Sequence, residues 1–373
     1  MPREAPLTDR IRPVSGGYLT GRVLSLRHGF VPNGLGCRPP PDDDYDEVPR
    51  AGSSQAVAWV VVDHRGGRSL SVTSTDRNHL VAQQALPNPL GVHALVWVGD
   101  ISPASVDYAI AKTKETGYDL LELSLHDTAS LDVAAARRRL TDAGLRVVCS
   151  RGLAFDADIS SEDPTIVERG EQLLHDSLRI TAELGGTHFT GALYSALGKY
   201  HRPLSDAGRR NVVAVLGRLA TQARGRGMTL GLEICNRYET NVVNTARQAL
   251  ALADDIGEDN VLLHLDTYHM NIEEDDLVRP VHEVGDRLGY IHIGENHRGY
   301  LGSGHLDFTA FFHALADIHY TGPITFESFS SAVIAAGLSS DLAIWRNLWS
   351  DGEDLARHAR AFIANHLTAA GAS

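Results

Sequence analysis

The sequence predicts an α/β fold, a (β/α)8 TIM barrel over residues 91–373, preceded by a Pro/Arg-rich N-terminal extension. Three observations support this prediction. From residue 91 onward, short apolar segments alternate eight times with segments of helical period. Parallel strands need helical crossovers, so this alternation suits a parallel sheet. The 373 residues also suffice for one barrel of about 250 residues with additional segments.

The N-terminal extension, residues 1–90, differs in composition from the rest of the chain. It contains ten of the fifteen prolines, and the acidic segment DDDYDE follows a proline run at 39–41. Such a composition favours extended or poorly ordered chain over a packed core. A regulatory arm is one interpretation. We favour a tail, or an upstream stretch outside the native protein. After Met1 the next methionine is Met228, so a native start codon near residue 90 that does not read as methionine in this sequence would escape notice.

The barrel strands are expected in eight apolar segments. In order they are GVHALVW (91–97), LLELSL (120–125), RVVCS (146–150), HFTGAL (188–193), LGLEI (230–234), LLHLD (262–266), GYIHI (289–293) and ITFES (324–328). The helix after the third strand has the clearest boundaries. Asp163 and Pro164 provide an N-cap and a first-turn proline, and Gly185 and Gly186 end the helix.

Periodicity alone also allows a doubly wound sheet, in which a dinucleotide would bind close to the first strand. No GxGxxG motif follows the first predicted strand, and the GSG segment at 302–304 lacks the third glycine. A dinucleotide site therefore has weak support.

Composition and charge argue against several classes of protein. The formal net charge of −13 disfavours nucleic acid, whose phosphates repel an acidic surface. No apolar run approaches the roughly 20 residues that span a bilayer, and the N-terminus lacks a hydrophobic signal core. Cys37, Cys149 and Cys235 are too few and too distant for a disulfide framework. We therefore expect a cytoplasmic protein that binds neither membranes nor nucleic acid.

Four polar residues lie at the ends of the fifth to eighth predicted strands. They are Glu233, Asp266, His292 and Glu327. Each has an ordinary explanation when taken alone, but the strand ends of a barrel converge on one face. Three carboxylates and one imidazole suit a divalent metal, Mn²⁺, Co²⁺ or Mg²⁺, better than a structural zinc site. The chain has no HExxH motif and no CxxC pair that would favour zinc.

Further polar residues follow these strand ends in the loops. Glu239, His269 and Arg298 are expected at the barrel mouth, where loops contact substrates. Together with a metal, they predict a neutral ligand rich in hydroxyl groups. The interpretation as ordinary loop charges stays open for each residue taken alone.

The segment HLDTYHMNIEE, residues 264–274, is predicted as a strand end followed by a loop. His264 lies on the same face as Asp266, and we expect a packing role or support of a ligand for it. Glu273 and Glu274 are expected to be solvated.

Four segments of this chain resemble the ketose 3-epimerases, a family of xylose-isomerase-like barrels. They are GLEICNRYETNVVNT, HLDTYHMNIEED, YIHIGENHRGYLGSGHLDF and FESFSS. The resemblance runs from about residue 90 through IWRNLW at 344–349 and into the last helix, and residues 1–90 have no counterpart in it.

The resemblance implies a metal-dependent C3 epimerisation of free ketoses through an enediolate. Glu233, Asp266, His292 and Glu327 match the metal ligands of the family, and Glu233 and Glu327 also match its two acid/base carboxylates. Glu239, His269 and Arg298 match the residues that hold the O1–O2–O3 end of the sugar. Relatives commonly pair barrels, and the tryptophans of IWRNLW are expected to be exposed for such a contact, so we expect a homodimer or homotetramer.

Other activities remain open at the level of sequence. An aldose–ketose isomerase could use the same fold and metal to move a proton between C1 and C2. A lyase subunit on this barrel would give residues 1–90 a role as an arm. An endonuclease of similar fold would need more histidine ligands and a basic face. A sugar-binding protein without activity would be expected to have lost Glu233 or Glu327, and this chain has both.

Overall fold

The computed structural model describes residues 86–334, 339–340 and 343–371. Within these ranges the chain forms a closed barrel of eight parallel strands in sequence order, and the first strand pairs with the eighth. The predicted (β/α)8 fold is confirmed. The predicted extension of residues 1–90 falls almost entirely outside the described residues.

The barrel consists of an inner ring of strands with helices in the connections. The strands are β1 (Leu90–His93), β2 (Leu120–Ser124), β3 (Arg146–Ser150), β4 (His188–Gly191), β5 (Thr229–Glu233), β6 (Val261–Asp266), β7 (Leu288–Ile293) and β8 (Ile324–Phe326). The α-helices are α1 (Pro103–Glu115), α2 (Val133–Ala143), α3 (Pro164–Leu184), α4 (Asp206–Arg224), α5 (Ala246–Ile256), α6 (Thr267–Glu273), α7 (Arg279–Val284), α8 (Phe308–Asp317) and α9 (Gly352–Gly371). None of the helices in the described ranges has the length and apolar character needed to cross a membrane.

β1 ends earlier than predicted. The strand stops at His93, and Ala94–Val96 forms a 3-10 helix. The imidazole of His93 accepts a hydrogen bond from the Leu95 N–H at 3.2 Å, which caps this turn. The prediction was wrong here because residues of a buried 3-10 helix are as apolar as those of a buried strand, and periodicity does not separate them. β4 and β8 likewise end early, at Gly191 and Phe326.

α3 begins and ends where the sequence predicts. The Asp163 carboxylate accepts a hydrogen bond from the Thr165 N–H at 2.8 Å, and Pro164 occupies the first helical position. Gly185 ends the helix with a φ of 89°, a left-handed conformation in which a side chain would be strained. These signals are local in sequence, so they could be interpreted without the tertiary structure.

Strand register sets polar residues of neighbouring strands side by side. The pairs are His93 with Glu122, Glu233 with His264, and Asp266 with His292. All of them lie at or near the carboxyl ends of strands, the end at which barrels of this type carry their sites.

Gly231 in β5 faces a crowded barrel interior. A Cβ at this position would lie 2.4 Å from Thr190 Oγ1 and 2.6 Å from His188 Nε2. These distances are shorter than any van der Waals contact, so only glycine fits without a shift of the neighbouring side chains.

We expect Gly231→Ala to lower the free energy of unfolding by about 1–3 kcal/mol, because the added methyl group overpacks the interior. Gly217→Ala is the matched control, since Gly217 lies in α4 and no atom stands within 4 Å of its added Cβ. The control should be more stable by up to about 1 kcal/mol, as alanine favours a helix interior. Urea unfolding measures both changes, and unaltered stability of Gly231→Ala would contradict the crowding.

Candidate active site

Four predicted strand-end residues meet at one point. β5 ends at Glu233, β6 ends at Asp266, β7 contains His292, and Glu327 directly follows β8. One ligand atom from each residue lies within 4.8 Å of the ligand atoms of the other three. His292 Nδ1 lies 3.4 Å from Glu233 Oε1 and 3.4 Å from Glu327 Oε2, and Asp266 Oδ2 is 3.8 Å away. The barrel thus brings all four predicted ligands together.

The chemistry of this donor set fits a divalent metal ion. Among the described residues, the buried atoms His292 Nδ1 and Asp266 Oδ2 make no hydrogen bond of good geometry, although Arg298 Nη2 forms an ion pair with Asp266 Oδ2. Burial alone would lower the pKa of His292, but Glu122 and Glu327 raise that pKa well above its usual range. A carboxylate field that favours a proton on the imidazole also favours a metal cation. Three carboxylates and one imidazole therefore imply a divalent metal as the cofactor.

Arg298 lies beside two of these carboxylates. Its Nη2 is 3.0 Å from Asp266 Oδ2, and its Nη1 is 2.7 Å from Glu327 Oε2. The guanidinium carbon lies 4.1 Å from the ring centroid of Tyr268 and 5.1 Å from that of Phe329. Arginine stacks well on aromatic faces, so both charge and packing hold the side chain at the edge of the cluster.

The backbone of Arg298 is held as well. Its φ of 62° is uncommon for a residue with a side chain, and the Ser328 hydroxyl donates to its carbonyl oxygen at 2.5 Å. Ser328 Oγ in turn accepts a hydrogen bond from Trp349 Nε1 at 2.8 Å. Trp345 is 73% exposed as predicted, but Trp349 is only 5% exposed. The prediction was wrong for Trp349 because its indole N–H finds a buried partner from a distant strand end.

His269 and Glu239 border the same centre. His269 Nδ1 accepts hydrogen bonds from the backbone N–H of Asn236 at 3.2 Å and from its side-chain amide at 2.8 Å. The same amide donates to Glu239 Oε1 at 2.8 Å. Because Nδ1 is an acceptor, the ring proton lies on Nε2, which is 3.7 Å from Glu233 Oε1 and 3.9 Å from Glu239 Oε2. One donor and two carboxylates thus face the centre together.

His264 is fully buried beneath the cluster. Its Nδ1 pairs with Thr190 Oγ1 at 2.9 Å, and its ring packs edge-on against His292 with 4.2 Å between centroids. A ligand atom of His264 also lies within 4.8 Å of ligand atoms of Glu233 and His292. The contacts are those of the packing role expected from the sequence, although the residue stands close enough to complete an alternative ligand set.

The segment after β6 is a short helix, α6, and not the predicted loop. The side chains of Glu273 and Glu274 are only 4% and 5% exposed, so the prediction that they are solvated is wrong. Arg237 Nη2 donates to Glu273 at 2.7 Å, and the Ala246 N–H donates to Glu274 at 2.8 Å. Arg237 lies in the connection between β5 and α5, and Ala246 is the first residue of α5, so the sequence of the segment 264–274 does not reveal either donor.

Comparison with known proteins agrees with this geometry. The family model described as xylose isomerase-like TIM barrel matches residues 110–366. The chain is 50% identical over 280 residues to the ketose 3-epimerase of Arthrobacter globiformis. This match covers 75% of this chain and 97% of the relative. It is also 50% identical over 273 residues to the L-ribulose 3-epimerase of Methylomonas sp. (strain DH-1), covering 73% of this chain and 96% of the relative. The chain belongs to the ketose 3-epimerase family.

A solved member of this family has a similar fold. The crystal structure of D-allulose 3-epimerase from Methylomonas sp. in complex with D-allulose superposes with a TM-score of 0.74 and 48% sequence identity. The match covers 75% of this chain and 98% of that chain. The resemblance seen in the four sequence segments is thereby confirmed.

The two glutamates of the cluster in this ketose 3-epimerase family member, Glu233 and Glu327, have opposite pKa shifts. Burial raises the pKa of Glu233 by more than the neighbouring His292 lowers it. Burial also acts to raise the pKa of Glu327, but His292 and Arg298 outweigh burial and hold this pKa well below its usual range. Titratable groups whose surroundings separate their pKa values are suited to acid and base roles.

Two residues of the family site escaped the sequence analysis, Glu122 and His93. Glu122 Oε2 accepts hydrogen bonds from His292 Nε2 at 2.7 Å and from the Tyr290 hydroxyl at 2.8 Å. His93 Nε2 lies 3.5 Å from Glu122 Oε1 and 4.0 Å from Glu327 Oε1. For Glu122 the sequence did contain a signal, because LLELSL places an acid in the middle of an apolar strand, where an acid needs buried partners.

A cavity of mixed character extends from the cluster. Its lining includes the apolar side chains of Leu95, Phe329 and Ile344 as well as Ser124 and Ser150. Apolar groups suit the C–H faces of a sugar, and hydroxyl groups can exchange hydrogen bonds with its oxygens.

Proposed function

We propose that this protein catalyses the metal-dependent C3 epimerisation of free ketoses. The substrate is a pair of the D-fructose/D-allulose, D-tagatose/D-sorbose or L-ribulose/L-xylulose type. One observation carries the proposal: Glu233 and Glu327 come from strands three places apart in the ring, yet their carboxylates reach the same centre. Epimerisation needs two such groups, because one proton leaves C3 on one face and another arrives on the opposite face.

The proposed metal ligands are Glu233, Asp266, His292 and Glu327. Mn²⁺ or Co²⁺ is the metal that we favour, with Mg²⁺ as an alternative, since the set is rich in oxygen and contains one nitrogen. When bound, the ion acts as a Lewis acid that stabilises negative charge on the ketose oxygens.

Proton transfer is assigned to the two glutamates. One carboxylate removes the C3 proton, which leaves an enediolate, and the carboxylic acid of the other returns a proton to the opposite face of C3. In the reverse direction the two residues exchange roles, so either can begin the reaction according to the configuration of the sugar.

Glu239, His269 and Arg298 are proposed to hold the O1–O2–O3 end of the sugar. The Nε2–H of His269 can donate to a sugar oxygen, since its Nδ1 is occupied by Asn236. Glu239 can accept from a hydroxyl, and Arg298 can donate from its side of the cluster. Orienting C3 between two carboxylates in this way lowers the entropic cost of the reaction.

Sugar conversion by chelator-treated protein, with and without Mn²⁺ or Co²⁺, tests the proposal. D-Fructose, D-allulose, D-tagatose and L-ribulose are incubated in D₂O, and the products and their deuterium content are resolved carbon by carbon. We expect metal-dependent inversion at C3 with deuterium at C3 of the product, because the proton passes through groups that exchange with solvent. Conversion to aldoses alone would indicate an isomerase, and absence of turnover on every sugar would favour the lyase or binding interpretation.

A homodimer or homotetramer in the cytoplasm completes the proposal. Trp345, 73% exposed, offers an apolar contact of the kind found in subunit interfaces. Cys149 and Cys235 are buried free thiols, which supports a reducing compartment.

A further inference from the structure

Glu122 is an acid in a place that normally excludes charge. It lies in β2 with no exposed surface, on the strand that pairs with β1, and its cross-strand neighbour is His93. Taking a carboxylate out of water costs several kcal/mol unless donors compensate it. The donors around Glu122 therefore indicate why the acid is there.

Those donors converge from β1 and β7. His292 Nε2 lies 2.7 Å and the Tyr290 hydroxyl 2.8 Å from Glu122 Oε2. Because a carboxylate can only accept, the Tyr290 hydroxyl donates its proton to Glu122, and the Thr325 hydroxyl, 2.5 Å away, donates to Tyr290. His93 accepts the Leu95 N–H on Nδ1 and so presents its Nε2–H towards Glu122 Oε1, at 3.5 Å.

The bond to His292 determines which of its nitrogens carries the proton. A carboxylate can only accept, so a bond from His292 Nε2 requires the hydrogen on that nitrogen. Nδ1 is the atom that faces Glu233, Asp266 and Glu327, and it carries the lone pair whenever the ring holds a single proton. The ring is thereby turned and protonated as a metal ligand needs to be.

We propose that Glu122 is a positioning residue that orients the His292 ring, through the hydrogen bond from Nε2, so that Nδ1 is directed into the carboxylate cluster. This inference rests on the proposed role of His292 as a metal ligand. Glu122 itself touches neither the metal nor the sugar; it acts through His292. A purely structural role would be an alternative, but an apolar residue would fill a barrel interior at lower desolvation cost.

The test measures Mn²⁺ and Co²⁺ affinity of the chelator-treated full chain by calorimetry, with Mn²⁺ electron paramagnetic resonance as a second readout. In Glu122→Gln, the acceptor for the His292 N–H is at best a neutral amide oxygen instead of a carboxylate, and the amide NH2 is a further donor among the donors of this region. We expect the metal Kd to rise about 10–100-fold, the range seen when the partner of a ligating histidine is removed. The Tm of the metal-free protein should fall, because the buried donors around Glu122 lose a charged acceptor, so the affinities are compared at a temperature at which every variant is folded.

One further variant separates the orientation of the Glu122 carboxylate from its charge, and a second variant is the control. Glu122→Asp keeps the charge but withdraws the carboxylate by one methylene, so its affinity should also fall if orientation matters. Asp158→Asn is the matched control: Asp158 is a buried carboxylate that accepts a hydrogen bond from Tyr200 at 2.5 Å, and it belongs neither to the cluster nor to the lining of the cavity beside it. Its metal Kd should equal that of wild type.

The outcomes distinguish this inference from the proposed function. Wild-type affinity in Glu122→Gln or in Glu122→Asp would overturn the positioning role, even if the enzyme epimerises ketoses. A loss of affinity matched by an equal loss in Asp158→Asn would also overturn it. If the wild-type chain binds neither metal, the ligand role of His292 fails and the inference fails with it. Weaker metal binding in Glu122→Gln and Glu122→Asp, with wild-type metal binding in Asp158→Asn, establishes the role. This result does not depend on which sugar is the substrate.

Discussion

Glu233→Gln and Glu327→Gln are each expected to lower kcat for ketose epimerisation by about 10²–10⁴-fold at saturating metal. Glutamine has almost the same shape as glutamate but cannot accept or release the C3 proton. Both positions are also proposed ligands, so metal affinity should fall, and assays must therefore be run at metal concentrations that saturate each variant. Glu353→Gln in α9 is the control, since the Glu353 carboxylate is outside the cluster and forms ion pairs with Lys112 and Arg357.

Isotope exchange makes this prediction sharper. A variant with one remaining carboxylate can still remove a proton from the epimer whose C3–H faces that carboxylate, and can return deuterium to the same face. Each variant should thus exchange C3–H in D₂O for one epimer without inverting it, and the two variants should select opposite epimers. Exchange of the same epimer by both variants, or full inversion by either, would exclude the two-base mechanism.

Substitution of Arg298 is the second change with a large expected effect. Arg298 stands 3.0 Å from Asp266 and 2.7 Å from Glu327 and rests on Tyr268. Arg298→Gln leaves both carboxylates without this cation and removes a donor from the sugar site. We expect kcat/KM to fall about 10²-fold, the size of loss that follows small misplacements of a reacting centre.

The pH profile of the same variant gives an independent readout. Burial acts to raise the pKa of Glu327. His292 and Arg298 lower this pKa by more than burial raises it, so the pKa lies well below its usual value. Without Arg298 this pKa rises, and Glu327 is protonated at a higher pH than before. For the sugar from which Glu327 removes the proton, the acid limb of kcat/KM should therefore move to higher pH.

Arg298→Lys is the control that separates charge from geometry. Lysine keeps the positive charge but lacks the planar fork that reaches two carboxylates at once. The acid limb should stay close to that of wild type while kcat/KM still falls. An acid limb of Arg298→Gln at the wild-type position would contradict the electrostatic role of Arg298.

The barrel and its four converging strand ends were readable in the sequence because both depend on local patterns. Strand segments are apolar, connections carry turn residues, and the carboxyl ends of parallel strands always lie on one face. Glu233, Asp266, His292 and Glu327 could therefore be grouped without a structure. The start and end of α3 were equally readable, since a helix cap involves only the next few residues.

Contacts between distant elements could not be predicted in this way. Glu122 and His292 are separated by 170 positions, and only the closure of the ring brings β2 and β7 to a common interior. Glu273 looks solvated in its own segment, but Arg237 from another connection covers it. Trp349 looks like a surface residue until Ser328 meets its indole N–H.

The difference between the features that the sequence predicts and the contacts that only the structure shows has one physical cause. Hydrophobic periodicity and turn chemistry act over a few residues, so the sequence by itself determined the fold class and which strand ends face the site. Hydrogen bonds and ion pairs depend on distances of about 3 Å between side chains from different elements, and these distances exist only after the barrel has closed. The tertiary structure alone therefore decided which nitrogen of His269 and of His292 meets a hydrogen-bond partner, the surroundings of Arg298, and the contact of Glu122 with His292.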